Sequence, residues 1–113
     1  MAETSERLLS VIVPTYNESA NIVPLVTKLL EAGDTREIVV VDDDSPDGTA
    51  ELVRQRFASD PRVKLIVRRE DRGLAKSVRA GLEASTGSLL AVMDSDFNHD
   101  PIVIDTMRSL LAH

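Results

Sequence analysis

The chain has 113 residues, 42% of them hydrophobic, with a formal net charge of −6 and no cysteine. That length supports one domain with a real core, and the lack of cysteine excludes disulfides and thiolate metal sites and favours a reducing compartment. The acidic balance argues against holding nucleic acid or an anionic bilayer by general attraction, so an anionic ligand needs a local device such as a metal or a helix N-terminus. Residues 1–7, Met1 to Arg7, are polar and carry acids, unlike a signal or transit peptide, and are read as a polar N-terminal tail. No tract is long enough to span a bilayer.

Leu8 to Pro14 is the first predicted strand, ended by a proline that cannot donate to a ladder. Tyr16-Asn17-Glu18-Ser19 follows as a loop. Ile22, Leu25, Val26, Leu29 and Leu30 then fall on one helical face, with Pro24 early in the helix, where a missing N–H costs least, and Gly33 as its stop. Glu37 to Val41 is the second strand and runs into Asp42-Asp43-Asp44. Ser45-Pro46-Asp47-Gly48 has turn chemistry, and Thr49 to Phe57 is predicted as a short helix burying Leu52, Val53 and Phe57. Val63 to Val67 is the third strand. Gly73 to Ser85 is predicted helical, with Leu74, Val78 and Leu82 facing inward. The apolar run Leu89 to Met93 makes a fourth strand, and Pro101 suits the first turn of a last helix carrying Val103, Met107, Leu110 and Leu111.

Strand and helix alternate four times, and the strands are apolar on both faces. This predicts an α/β fold: a Rossmann-like parallel sheet, helices on both faces, joined by right-handed crossovers. Ligands of such sheets bind beyond the carboxyl ends of the strands, where strand order reverses. With the order 3-2-1-4, the polar tips of strands one, two and four gather at one crevice.

The fourth tip, Asp94-Ser95-Asp96, is the centre of the chemical reading. Residues i and i+2 of an extended segment point the same way, so Asp94 and Asp96 can face one spot. Two carboxylates that close repel unless a proton or cation lies between them. Mg²⁺ and Mn²⁺ prefer such oxygen ligands and leave positions for water and substrate phosphates. The motif therefore reads as a metal–diphosphate site; a polar turn in which Asp96 or Asn98 caps the next helix is the plainer alternative. Among the second tip's acids Asp43 is the favoured binding residue, able to accept from a base N–H or from ribose hydroxyls. Asp47 or Ser45 could instead be caps. Tyr16, one of only three aromatic residues, could stack on a base or sit half-buried in its loop. Arg68, Arg69, Arg72, Lys76 and Arg79 could hold phosphate or form a solvated face paired with Glu70 and Asp71. His99 reads as a surface-turn histidine rather than a ligand.

Three segments together resemble a family-2 glycosyltransferase, most closely the synthases of dolichyl- or polyprenyl-phosphate mannose or glucose. They are Val11-Ile12-Val13-Pro14-Thr15-Tyr16-Asn17-Glu18, Val40-Val41-Asp42-Asp43-Asp44-Ser45-Pro46-Asp47-Gly48-Thr49 and Val92-Met93-Asp94-Ser95-Asp96-Phe97-Asn98-His99-Asp100-Pro101. Arg72-Gly73-Leu74 and Gly81 to Gly87 add to the likeness, which covers nearly the whole chain. The resemblance implies the nucleotide-binding half of a GT-A fold over residues 8–113, a truncated nucleotide-sugar-binding domain. Pro14, Tyr16 and Glu18 would line the nucleotide pocket, with Val41 and Asp43 at the base. Asp94, Ser95 and Asp96 would contact the sugar diphosphate, and Asn98 falls at a further ligand or sugar contact. The catalytic and metal-binding residues would be Asp94 and Asp96, with Mg²⁺ or Mn²⁺ as cofactor. Asp44 stands where a small residue, often glycine, is usual.

The implied reaction is inverting transfer of a hexose, mannose favoured, from a nucleoside diphosphate sugar to a polyprenyl phosphate. GDP-mannose is the favoured donor, a UDP-sugar the alternative, and nucleic acid is not expected as a partner. The lipid acceptor implies work at a membrane surface, and the expected location is cytoplasmic, at the cytoplasmic face of a membrane. The acceptor side of the family's site is expected to lie beyond this stretch, leaving little turnover in the chain alone and a homodimer through the open edge of the fourth strand. A nicotinamide-dependent oxidoreductase needs a glycine fingerprint after the first strand, and Tyr16 to Asn21 contains no glycine. A phosphoacceptor receiver domain needs its acid pair where Pro14-Thr15 stands. A non-catalytic sugar-nucleotide-binding module remains the competing reading.

Overall fold

Strands apolar on both faces are stable only when covered on both, and the molecule is built around four of them. The computed structural model describes residues 9–31, 35–87 and 89–93. Its strands are β1 (Leu9–Thr15), β2 (Thr35–Asp42), β3 (Val63–Val67) and β4 (Leu89–Val92), and its helices α1 (Ile22–Glu31), α2 (Thr49–Arg56) and α3 (Leu74–Ala84). The strands form one parallel sheet in the order β3-β2-β1-β4, as the sequence predicts. The chain crosses from β3 at one edge to β4 at the other, so strand order reverses between β1 and β4.

The alternation of side chains along the strands divides the core in two. On one face Leu9, Val11 and Val13 of β1, Ile38 and Val40 of β2, and Ala91 and Met93 pack against Ile22, Leu25, Val26 and Leu29 of α1 and Val53 of α2. On the other, Ile12, Val39 and Val41 meet Ala80 and Ala84 of α3, with Ile66 and Leu90 beside them. Helices therefore cover both faces. The predicted stop at Gly33, the tail 1–7 and the last helix carrying Val103 to Leu111 lie outside the described residues.

Two inward faces differ from expectation. Helix α2 buries Thr49 and Val53, whereas Leu52 and Phe57 are only partly covered. In α3 the buried residues are Ser77 and Gly81, while Leu74 is 66% and Leu82 38% exposed. The reason is how closely α3 lies on the sheet. A Cβ placed at Gly81 would come 2.6 Å from Ile12 Cγ2 and 3.2 Å from Val41 Cγ2, so only a stripe of small residues can face the strands there. The large apolar residues of α3 are turned to its flank.

This close approach gives a stability prediction. Gly81→Ala improves helix propensity by about 1 kcal/mol, yet its methyl must displace branched carbons of a buried isoleucine, and overpacking costs about 1–3 kcal/mol. We expect net destabilisation of about 1 kcal/mol, read as a lowered urea midpoint at unchanged slope. Ile12→Ala removes both contacting γ-carbons, so the double variant should lose less than the sum of its parts.

At the amino end of the strands the sheet is tied to the loop after α3. Buried Glu37 accepts from Ser10 Oγ (2.5 Å), Thr86 N (2.5 Å) and Thr86 Oγ1 (3.1 Å), and pairs with Lys64 Nζ at 2.6 Å. Ser10 Oγ in turn accepts from Gly87 N at 2.8 Å. Burial alone would raise the Glu37 carboxyl; the bonds from Lys64, Ser10 and Thr86 outweigh it and hold the pKa at about 2.

Candidate functional site

The carboxyl ends of β1 and β2 meet in register, Thr15 opposite Asp42, and Asp43 N donates to Thr15 O at 3.1 Å. Alternation then separates the acids that follow β2. Asp42 shares the face of Val40, and Asp43 shares that of Val41. Asp42 is fully buried: its Oδ1 accepts from Thr15 Oγ1 (2.7 Å) and Ser45 Oγ (2.6 Å), and its Oδ2 from Ser45 N (2.8 Å). It is a structural acceptor that closes the turn after β2.

From there Ser45-Pro46-Asp47-Gly48-Thr49 acts as a bracket for the loop after β1. Asn17 N donates to Ser45 Oγ (2.8 Å), Glu18 N to Thr49 Oγ1 (3.0 Å) and Ser19 N to Asp47 Oδ2 (3.0 Å). Asp47 Oδ1 also accepts from Thr49 N and Thr49 Oγ1, opening α2. Burial alone would raise the Asp47 carboxyl; the donors on Thr49 and Ser19 outweigh it and hold its pKa at about 2. Gly48, at φ 86°, makes the left-handed step that a side chain would resist. Asp44 and Asn17 take left-handed φ of 58° and 57°, a region that aspartate and asparagine tolerate better than other non-glycine residues. This explains why a small residue suits position 44.

Asp43 turns the other way, toward the start of α3. Its Oδ1 accepts from Ser77 Oγ at 2.5 Å and its Oδ2 from Gly73 N at 3.0 Å, while Arg72 Nη1 donates to its main-chain oxygen at 3.1 Å. A cavity of about 150 Å³ opens beside it, lined by Pro14, Thr15, Tyr16, Asp43, Leu74 and Ser77. That is below the ~300–1,000 Å³ that encloses a drug-sized ligand, and suits one ring system rather than a whole nucleotide. Tyr16 is 52% exposed, leaving ring surface free for stacking.

The structure thus brings Pro14, Tyr16 and Asp43 to one cavity. Val41 does not line it; its side chain is fully buried under α3. Glu18 does not line it either, and its carbonyl instead accepts from Asn21 N and Ile22 N at the start of α1. The basic cluster is largely satisfied internally. Arg68 donates to the main-chain oxygens of Lys76, Glu70 and Asp71, Lys76 pairs with Asp71, and Arg79 with Glu83. Arg69 lies 3.9 Å from Asp44. Asp94, Ser95, Asp96 and Asn98, with His99, lie outside the described residues. Among the described residues no group of three or more histidine, cysteine or acidic residues could hold a metal. Leu74 and Ser77 were missed as site residues, because a helical-period count assigns one to the core and overlooks the other.

The strand order β3-β2-β1-β4, with helices on both faces and an acid-bearing cavity at the carboxyl ends of β1 and β2, makes this an α/β protein of Rossmann-like architecture. The sequence profile described as Glycosyl transferase family 2 matches residues 10–112, and the chain belongs to that family. It is 44% identical over 98 residues to a dolichol-phosphate mannosyltransferase of Pyrococcus furiosus, covering 85% of this chain and 28% of that protein. Identity to a dolichol-phosphate mannosyltransferase of Saccharomyces cerevisiae is 40% over 110 residues, 92% of this chain and 41% of that protein. Among solved structures, a mannosyltransferase of Pyrobaculum calidifontis in complex with GDP-Man and Mn²⁺ superposes with a TM-score of 0.76 at 31% identity, covering 90% of this chain and 32% of that one. The chain therefore spans well under half the length of the relatives it matches. No helix among the described residues is long and apolar enough to cross a membrane.

Proposed function

We propose that residues 8–113 form the donor-binding domain of a hexosyltransferase that moves mannose from GDP-mannose to a polyprenyl phosphate with inversion. The observation that carries this is the Asp43 carboxylate at a ring-sized cavity beside exposed Tyr16, at the carboxyl ends of β1 and β2 and under the start of α3. Asp43 receives the base and Tyr16 covers it. The bracket 45–49 keeps the intervening loop in shape. Similarity to the two dolichol-phosphate mannosyltransferases and to the GDP-Man complex supports the choice of donor and acceptor.

The metal ligands in this proposal are Asp94 and Asp96, which follow Met93 directly in the sequence. Met93 N donates to Ile12 O at 3.0 Å, so β4 delivers the chain next to β1. Carboxylates and diphosphate oxygens are a hard donor set that fits Mg²⁺ or Mn²⁺. When bound, the ion supplies positive charge to the departing diphosphate. Ser95 and Asn98 complete the polar contacts to the sugar diphosphate. An acceptor phosphate is already anionic, so no strong general base is assigned. A lipid acceptor implies work at a membrane surface; the cytoplasmic face, and pairing of the outer edge of β4 with a second copy, belong to the same proposal.

Calorimetric titration with GDP, with and without Mn²⁺, tests the site. Mn²⁺ should tighten GDP binding at least about tenfold in the wild type and have little effect in Asp96→Ala, since disturbing metal coordination typically costs about 10–100-fold. Equal GDP affinity with and without Mn²⁺ in the wild type would overturn the metal assignment.

A further inference from the structure

Ser77 lies on the one helix face that touches the sheet, 2% exposed among glycine and alanine neighbours. A hydroxyl there is costly unless bonded, and its partner is Asp43 Oδ1 at 2.5 Å. Gly73 N takes Oδ2 at 3.0 Å. The two donors come from the same short stretch of chain, four residues apart, so together they fix the rotation of the carboxylate about its own axis. An ionised carboxylate has about four acceptor positions. With one protein donor on each oxygen, each oxygen keeps acceptor capacity for a ligand in the cavity it lines.

From this geometry we infer that Ser77 is a positioning residue that presents Asp43 as a two-oxygen acceptor and thereby selects a base with two adjacent N–H donors, guanine, over uracil. The inference rests on the nucleotide reading above and deepens it. Guanine offers N1–H and the 2-amino group side by side, matching two carboxylate oxygens. Uracil offers N3–H between two carbonyls, and those oxygens face the carboxylate unfavourably. Without Ser77 the carboxylate keeps only the Gly73 amide and is free to turn. The N1–H bond can then still form, but the second bond is no longer held.

The test compares GDP with inosine diphosphate, which lacks only the 2-amino group, by calorimetry in the presence of Mn²⁺. Wild type should bind GDP about tenfold more tightly than inosine diphosphate, a typical worth for the second bond of a bidentate base contact. In Ser77→Ala the ratio should fall to about threefold or less, while affinity for inosine diphosphate changes little. Alanine suits both the helix and the close packing, and a thermal melt of the variant checks that it is folded. A ratio unchanged by Ser77→Ala overturns the inference, as does a wild type that binds both diphosphates equally. A wild type that binds neither one overturns the nucleotide reading itself.

Discussion

Asp42→Ala is expected to destabilise the protein by about 3 kcal/mol, because it strips acceptors from several donors in a place water reaches poorly. Thr15 Oγ1, Ser45 Oγ and Ser45 N all donate to this one carboxylate. The hydroxyls can rotate toward other partners, but the Ser45 amide cannot, and an unsatisfied buried donor costs about 1–3 kcal/mol. Asp42→Asn keeps the shape and one oxygen yet turns an amino group toward a donor, so a loss of about 1–2 kcal/mol is expected. Urea unfolding reads both values. The bracket makes a second consequence follow. Ser45 Oγ, which donates to Asp42, is also the acceptor of Asn17 N, so Asp42→Ala should loosen the Tyr16 loop and speed amide exchange at Asn17. A variant as stable as wild type would show that the turn does not depend on the carboxylate.

Lowering the pH should remove about 3 kcal/mol of stability through Glu37 alone, taking 1.36 kcal/mol per unit between the reference carboxyl of 4.5 and the folded pKa of about 2. The sign follows from the depressed folded value. Above about 4.5 both folded and unfolded chains carry the ionised group, and the full contribution is present. As pH falls toward 2, the unfolded chain takes up the proton first and the contribution disappears. Glu37→Gln preserves size but not the charge that holds Lys64 and the Thr86 amide. It should therefore cost about 2–3 kcal/mol at pH 7 and little at pH 2. Urea midpoints of both chains at the two pH values decide the matter. A gap of equal size at both would mean that charge is not the cause.

Much of the architecture is legible in the sequence because β1, β2 and β4 carry apolar runs, Val11 to Val13, Ile38 to Val41 and Leu89 to Val92, that leave no polar face. Such runs fit only the interior of a parallel sheet, and right-handed crossovers leave few orders to choose from. The inward face of α3 was not legible. Counting by helical period rewards large apolar residues, and Leu74, Val78 and Leu82 fit the count. What decides the face is the distance between helix and sheet, set by Gly81 against Ile12, and no pattern in a single sequence reports that distance. Of the cavity's lining, Asp43 and Tyr16 are legible from their place at strand tips and Pro14 from the resemblance alone. Ser77 is not, because a lone serine inside a helix carries no periodic signal. Val41 came from the resemblance rather than from the residue, and its side chain turns out to serve the core.

The tract Asp42-Asp43-Asp44 reads as one letter written three times, yet each copy answers to a different constraint. The first must be an acceptor without contact with solvent, the second an acceptor open to a small guest, and the third a residue at ease with a left-handed backbone at φ 58°. Redesign of this stretch therefore cannot treat the positions as exchangeable. Asparagine or glycine is admissible at the last, valine there would strain the chain whatever its neighbours, and neither of the other two positions shares that list of permitted substitutes.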